Sequence, residues 1–198
     1  GIEGFRVDKK IGLSNWGTPV TVNTTTWTDE NANVNYDIQY RVYAYYEDVD
    51  GLKVATNLID MTLPAPTNFT CFRPDIHSVR LNWQQNFIGE EGFKIEKKVD
   101  DNNWQLVATL PENTITWEDS DVELNSSILY NVYSYYGNQN SIAITSDMIN
   151  TTIPVPENLT YNKPNIHSVQ LNWNYSTQGI DGFKIDKNEE AQYGQAKD

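Results

Sequence analysis

The segment beginning at Pro64, PAPTNFTCFRPDIHSVRLNW, returns from Pro154 as PVPENLTYNKPNIHSVQLNW, about 90 residues further on. Upstream, TWTD from Thr26 and YRVYAYY from Tyr40 return as TWED from Thr116 and YNVYSYY from Tyr130. A fixed period constrains architecture more than any local motif, because each copy must close an equivalent core. A third marker sets the phase: GIEGFRVDKK from Gly1, GEEGFKIEKK from Gly89 and GIDGFKIDKN from Gly179 are copies of one segment. At 198 residues the chain allows one or two domains by length. The phase predicts instead a complete unit, 64–153, preceded by the back part of one copy, 1–63, and followed by the front part of another, 154–198. Neither end is then expected to be a domain boundary. Gly1-Ile-Glu-Gly carries neither a start Met nor a signal peptide and reads as processed or cropped.

Within the complete unit the apolar pattern has a period of two, broken by turn residues every eight to twelve positions, as in half-buried antiparallel strands. The inward sets are Val79, Leu81 and Trp83; Phe93 and Ile95; Leu106 and Ala108; Ile115 and Trp117; Tyr130 and Val132; and Ile142 and Ile144. Asp100–Asn103 and Gly137–Asn140 read as hairpin loops. About seven short strands result.

The L-x-W of Leu81 and Trp83, the strand GFKIEKK, and the Y-x-V-x-small strand of Tyr130, Val132 and Ser134 resemble a fibronectin type III repeat. The resemblance covers nearly the whole chain. It implies an all-β fold of tandem seven-stranded sandwiches, strands A to G, one complete and two partial. It implies Trp83 as the buried core indole and Tyr130 or a neighbour at the tyrosine corner; the core markers are these two and their copies Trp173 and Tyr40. By that likeness residues 4–63 hold C, C′, E, F and G, and 154–187 hold A, B and C. Phe5, Val7, Trp27 and Val42 would then stand partly in water, forgoing about 1.5–3 kcal/mol for each large side chain. Two readings remain open: a window cut from a longer array, or tail strands A and B of one copy completing the head of the next.

The joints Thr62-Leu-Pro-Ala-Pro and Thr152-Ile-Pro-Val-Pro contain no Gly, and their prolines fix φ, so a short, stiff connection is expected. A semi-rigid rod follows, with edge strands open to augmentation.

Twenty-seven acidic against 14 basic residues give a formal charge of −13, which disfavours nucleic acid and anionic membrane as partners. No apolar run approaches the roughly 18–20 residues that span a bilayer, so no direct membrane insertion is expected in this segment. A single cysteine, Cys71, excludes an intrachain disulfide or thiolate zinc cluster. His77 and His167 are each followed by Ser, but strand neighbours point to opposite faces and cannot form a base–nucleophile pair. They read as structural residues of the A–B turn. The chain contains no HExxH, phosphate loop or CxxC. The acids of Glu47-Asp48-Val49-Asp50-Gly51 and of Glu118, Asp119 and Asp121 read as solvated loop charge. No catalytic residue, cofactor or metal site is expected.

Two surface signals remain. By strand parity Tyr43 and Tyr45, with their copies Tyr133 and Tyr135, form an outward stripe, read either as a contact face for sugars or subunits or as ordinary cross-strand pairing. Trp16 and Trp104, near strand C′, extend either reading. N-x-S/T sequons stand at Asn23, Asn68, Asn125, Asn150, Asn158 and Asn174, predicted in loops or near strand ends. Together with the acidic sandwich array, they lead to the expectation of a chain at a cell surface or in the medium. The expected function is a non-catalytic stalk, adhesin segment or filament subunit whose partners are other copies, neighbouring repeats, glycans or cell-surface proteins. The rival is a spacer or carbohydrate-binding accessory region of a large secreted glycan-active enzyme.

Overall fold

A computed structural model of the chain describes residues 1–85 and 87–188; every element in it is a β-strand. The first sheet is built from β1 (Gly4–Ile11), β2 (Val20–Val22) and β3 (Asp37–Tyr46), with β4 (Val49–Asp50), β5 (Val54–Ala55) and β6 (Ile59–Asp60) along the free side of β3. Two sheets follow. β7 (Thr67–Phe72), β8 (Val79–Gln84) and β11 (Thr116–Asp119) form one, in the order β11-β8-β7. β9 (Gly92–Val99), β10 (Gln105–Pro111) and β12 (Ser127–Tyr136) form the other, in the order β10-β9-β12. The free side of β12 carries β13 (Gln139–Asn140), β14 (Ile144–Thr145) and β15 (Ile149–Asn150). A last hairpin pairs β16 (Glu157–Asn165) with β17 (Ser168–Asn174).

Named by family letters, β7 and β8 are strands A and B, β9 and β10 are C and C′, β11 is E, β12 is F, and β13–β15 are a strand G broken into three short bridges. A-B-E faces C′-C-F-G, the layering of the fibronectin sandwich. Between the sheets lies one core of Val79, Leu81, Trp83, Phe93, Ile95, Val122, Ile128, Tyr130 and Val132. The Trp83 and Phe93 rings meet at 5.5 Å between centroids, a tilted pair at its centre.

Three residues expected inward are exposed: Leu106, Ile115 and Ile142. For Leu106 the cause is a bulge. Leu106 lies opposite Glu96 but Ala108 lies opposite Ile95, so Val107 is an extra residue that reverses the parity. Ile115 precedes β11, and Ile142 falls in a gap of the broken strand G. Gly92 has a geometric reason to be glycine. Its φ is +148°, and a Cβ would stand 1.9 Å from the Leu110 carbonyl oxygen.

Two expected strands are not formed. Residues 26–29, the copy of β11, make no ladder, because the strand B that would supply its backbone partners is absent from the first sheet. Residues 182–187, the copy of β9, are likewise irregular without a strand F beside them. The side chains of 26–29 nevertheless hold position: Trp27 packs edge-on against Tyr40 at 5.9 Å. Phe5 is half-buried and Trp27 and Val42 are exposed, as expected of an uncovered face. Val7 departs from that expectation and is buried, in a position bordering the same grooves as Trp27.

Candidate functional site

Three repeated devices and one open groove account for most side chains singled out by the sequence. The first is a charged pin beneath the sandwich corner. Lys97 on β9 projects between the E and F strands, where its ammonium meets Asp119 at 2.9 Å, Glu123 at 2.6 Å and the Asp121 carbonyl at 2.9 Å. The Tyr130 hydroxyl donates to Asp119 at 2.7 Å. Burial pushes the Lys97 ammonium down, but its hydrogen bonds to Glu123 and Asp119 outweigh this and leave it above its ordinary value. Burial, followed by the bond to Asp119, raises Tyr130 far above a free phenol. The same pin recurs in the first sheet: Lys9 reaches Asp29 at 2.7 Å, and the Tyr40 hydroxyl donates to Asp29 at 2.6 Å. A phenol and an ammonium held so firmly in their protonated forms are anchors rather than a nucleophile or base. Sequence reasoning found the tyrosines but missed their partners. The signal was present, since Lys9 and Lys97, and Asp29 and Asp119, occupy equivalent repeat positions.

The second device concerns the tyrosine stripe, which is not an open platform. Tyr43 and Tyr133 are buried, and Tyr45 and Tyr135 are half-buried. Long cationic side chains lie over the rings: Lys53 over Tyr43 at 4.1 Å, Arg6 over Tyr45 at 4.4 Å, and Lys94 over Tyr135 at 4.8 Å. The Tyr43 hydroxyl donates to the buried Asp8 at 3.0 Å, and Arg41 pairs with the same carboxylate at 2.5 Å. In the next copy Tyr133 donates to Glu96 at 3.2 Å; burial and that carboxylate push its phenol up to about 12. Trp16 is covered by the Arg41 guanidinium at 4.4 Å, while Trp104 is half-buried ahead of β10. Asp50 of the acidic loop pairs with Arg6 and, at 3.4 Å, with Lys53. Burial pushes the Cys71 thiol up to about 12, which keeps it unreactive.

The third device clamps each exit from strand G. Asn125 has a left-handed φ of 57°; its N–H donates to Thr151 O at 3.1 Å and its Oδ1 accepts from Ile153 N at 3.3 Å. Asn35 does the same, with φ 63°, to Met61 O at 2.8 Å and from Leu63 N at 2.7 Å. Asparagine tolerates this backbone better than other side chains. Asn35 also donates across the joint to Asn140 O at 3.0 Å. At the following joint His77 Nε2 lies 3.1 Å from Gly179 O, and Ile76 beside it is 3% exposed. The histidines are therefore not equivalent in surroundings, for Ile166, next to His167, is 80% exposed.

All six sequon asparagines are exposed. Asn23 follows β2, and Asn174 ends β17. Asn68 and Asn158 sit at matching left-handed bulges, φ 51° and 53°, with Asn68 Nδ2 donating to Gln84. Asn125 is the clamp just described. Asn150 accepts from Thr152 N at 2.8 Å and Oγ1 at 2.6 Å. Of the core markers, Trp83 and Tyr130 are buried and Tyr40 and Trp173 half-buried. Over the first sheet lies an open apolar groove of about 680 Å³, floored by Phe5, Val42 and Ile59 and walled by Trp27. Among the described residues no three metal-ligating side chains converge, and no helix is long and apolar enough to cross a membrane.

No family model and no curated protein sequence matches the chain. Solved structures do. The FN1–FN3 domains of chicken CNTN1 share 17% identity at a TM-score of 0.43, over 76% of this chain and 56% of that one, so the chain spans just over half of their length. A two-domain fibronectin type III segment of chicken tenascin shares 8% identity at a TM-score of 0.48, over 76% and 85% of the two chains. A redesigned β-sandwich protein shares 17% identity at a TM-score of 0.40, over 46% and 91%. The strand order A-B-E on C′-C-F-G, with Trp83 buried between the sheets and strand F pinned through Tyr130, is that of a fibronectin type III-like sandwich.

Proposed function

We propose that the chain is a non-catalytic, extracellular structural or adhesive repeat array, a stalk or filament segment in which residues 64–153 are one complete unit between the back of one copy and the front of another. The clamped joint carries this reading. Thr151 is fully buried and bonded both ways to Ser126, Ile153 is tied to Asn125, and His77 meets Gly179 of the following unit. Two prolines in the same stretch remove backbone freedom. Such a joint transmits orientation from one sandwich to the next. The exposure of all six sequons and the net charge of −13 support a solvated, extracellular surface. Other copies and neighbouring repeats are its natural partners. The tyrosine stripe does not favour a carbohydrate-binding accessory role, since Tyr43 and Tyr133 are buried and Tyr45 and Tyr135 lie beneath cations.

Small-angle scattering of the whole chain, beside a Pro154→Gly/Pro156→Gly/Asn125→Ala variant, tests the proposal. The wild type is expected to scatter as one extended particle, and the variant as a broader ensemble. A wild type that already scatters as freely jointed beads overturns the rod.

A further inference from the structure

The complete sandwich has a groove of its own, on the side where β10 and β11 are the outermost strands of their sheets. It encloses about 460 Å³, within the roughly 300–1,000 Å³ of small-molecule sites. Part of the lining is apolar. Trp117, half-buried and packed against the core, lines the groove beside Val99 and Val107. Val107 is the extra residue of the β10 bulge, so the irregularity that turns Leu106 to solvent brings Val107 into the lining. Bulges recur next to functional sites because they re-aim a side chain in this way.

The rest of the lining is polar and largely uncommitted. Asn102, Asn103, Gln105 and Asp121 are exposed, and among the described residues their side chains have no hydrogen-bond partner. Each amide both donates and accepts, and the carboxylate accepts. The Lys97 ammonium is spent on Asp119, Glu123 and the Asp121 carbonyl, so it does not draw an anion. A sugar ring matches this combination: its apolar C–H face suits the indole and the valines, and the hydroxyls around its rim donate and accept.

The first copy repeats the arrangement. Lys9, Ser14, Asn15, Trp27 and Asp29 line about 360 Å³ there, as counterparts of Lys97, Asn102, Asn103, Trp117 and Asp119. Gly17 stands in the place of Gln105, so fewer amides are on offer. Asn31 and Asn33 are the counterparts of Asp121 and Glu123. The two grooves thus share an indole and neutral hydrogen-bonding groups, while the excess of acid is confined to one, which favours an uncharged ligand over a basic peptide. We infer that the groove between β10 and β11 binds a neutral glycan, with a pyranose ring on Trp117 and its hydroxyls on Asn102, Asn103, Gln105 and Asp121. Resting on the adhesive reading above, this site gives the array a ligand class and shares no residue with the tyrosine stripe.

Calorimetric titration of the whole chain with cellohexaose, chitohexaose and mannohexaose tests the site. At least one of these neutral hexasaccharides is expected to bind, and neither hyaluronan hexasaccharide nor hexalysine is expected to compete. Trp117 packs on the core, so the variants spare it. Asn102→Ala/Asn103→Ala/Gln105→Ala, at exposed positions, is expected to weaken the tighter site about tenfold with circular dichroism unchanged. Asp121→Asn, whose amide oxygen still accepts, is expected to change it by less than about threefold. Tyr45→Ala/Tyr135→Ala is expected to leave it unaltered. Binding of none of the three sugars, binding unaffected by the triple variant, or a site taken by hexalysine and lost in Asp121→Asn overturns the assignment. A stiff chain that binds no glycan would refute this site and leave the rod standing; a flexible chain whose glycan binding falls in the triple variant would do the reverse.

Discussion

Replacing Lys97 by Met isolates the charged pin, because Met keeps most of the side chain's length and removes only its charge. The ammonium has three partners, and both it and Asp119 are 8% exposed at the side chain, so Asp119 would be left as an uncompensated buried charge. Breaking a buried pair in this way costs about 3 kcal/mol at the low end of the usual range. That is a large share of the roughly 5–15 kcal/mol that stabilises a domain. Because about 1.4 kcal/mol is a factor of ten, the amides of β8, β9 and β12 should lose about two decades of protection in hydrogen exchange. Peptide-resolved exchange on the intact chain reads this locally, with the first sheet as internal control. Adding Asp119→Asn should restore part of the loss, since the neutral amide oxygen still accepts from Tyr130. Unchanged protection in Lys97→Met, or a double variant weaker than the single, would refute the pin as a buried charge balance.

Gly92→Ala drives a Cβ into the Leu110 carbonyl, where only backbone could yield, so the variant is expected to lose the sandwich in circular dichroism; a folded Gly92→Ala would disprove the close approach. Leu106→Lys, by contrast, should shift stability by less than about 0.5 kcal/mol in urea melts, because the bulge at Val107 turns that position to solvent. In pH titrations of the melting midpoint, stability should fall as pH rises past about 10, the unfolded-state value for tyrosine and close to that of lysine. Tyr40, Tyr130 and Lys97 are all raised in the fold, so their contribution is complete below that pH and lost above it. Asp29 behaves oppositely. Burial pushes its carboxyl up, but Lys9 and Tyr40 bring it below its ordinary value, so its contribution is lost as pH falls below about 4. A midpoint that rises in alkali would contradict the pin.

The repeat and the period-two pattern carried the sheet layering, and positions such as Leu81, Phe93 and Val132 were legible because each obeys strand parity. Leu106 was not, since a one-residue bulge leaves no trace in composition. Tyr43 and Tyr133 were placed on the outer face by parity, but parity does not say which long side chains from neighbouring strands will lie over a ring. The missing strands at 26–29 and 182–187 reflect a different limit. Their sequences match β11 and β9, yet a strand is a property of two segments, and here the second is absent. Asn125 was read as a sequon alone; its match with Asn35, which lies in no sequon, was the available sign of a backbone role.

Strand G, broken into three two-residue bridges, has a consequence for a protein built of repeats. Tandem sandwiches hold similar sheet edges at high local concentration, and a long straight outer strand would invite neighbours to zip together sideways. β13, β14 and β15 instead present short runs of backbone groups separated by gaps, and the opposite edge is shortened by the bulge in β10 and the proline at its end. Both edges of the C′-C-F-G sheet are thus poor templates for another strand. A chain of this design is protected against lateral sticking along that sheet, even with its repeats held close together.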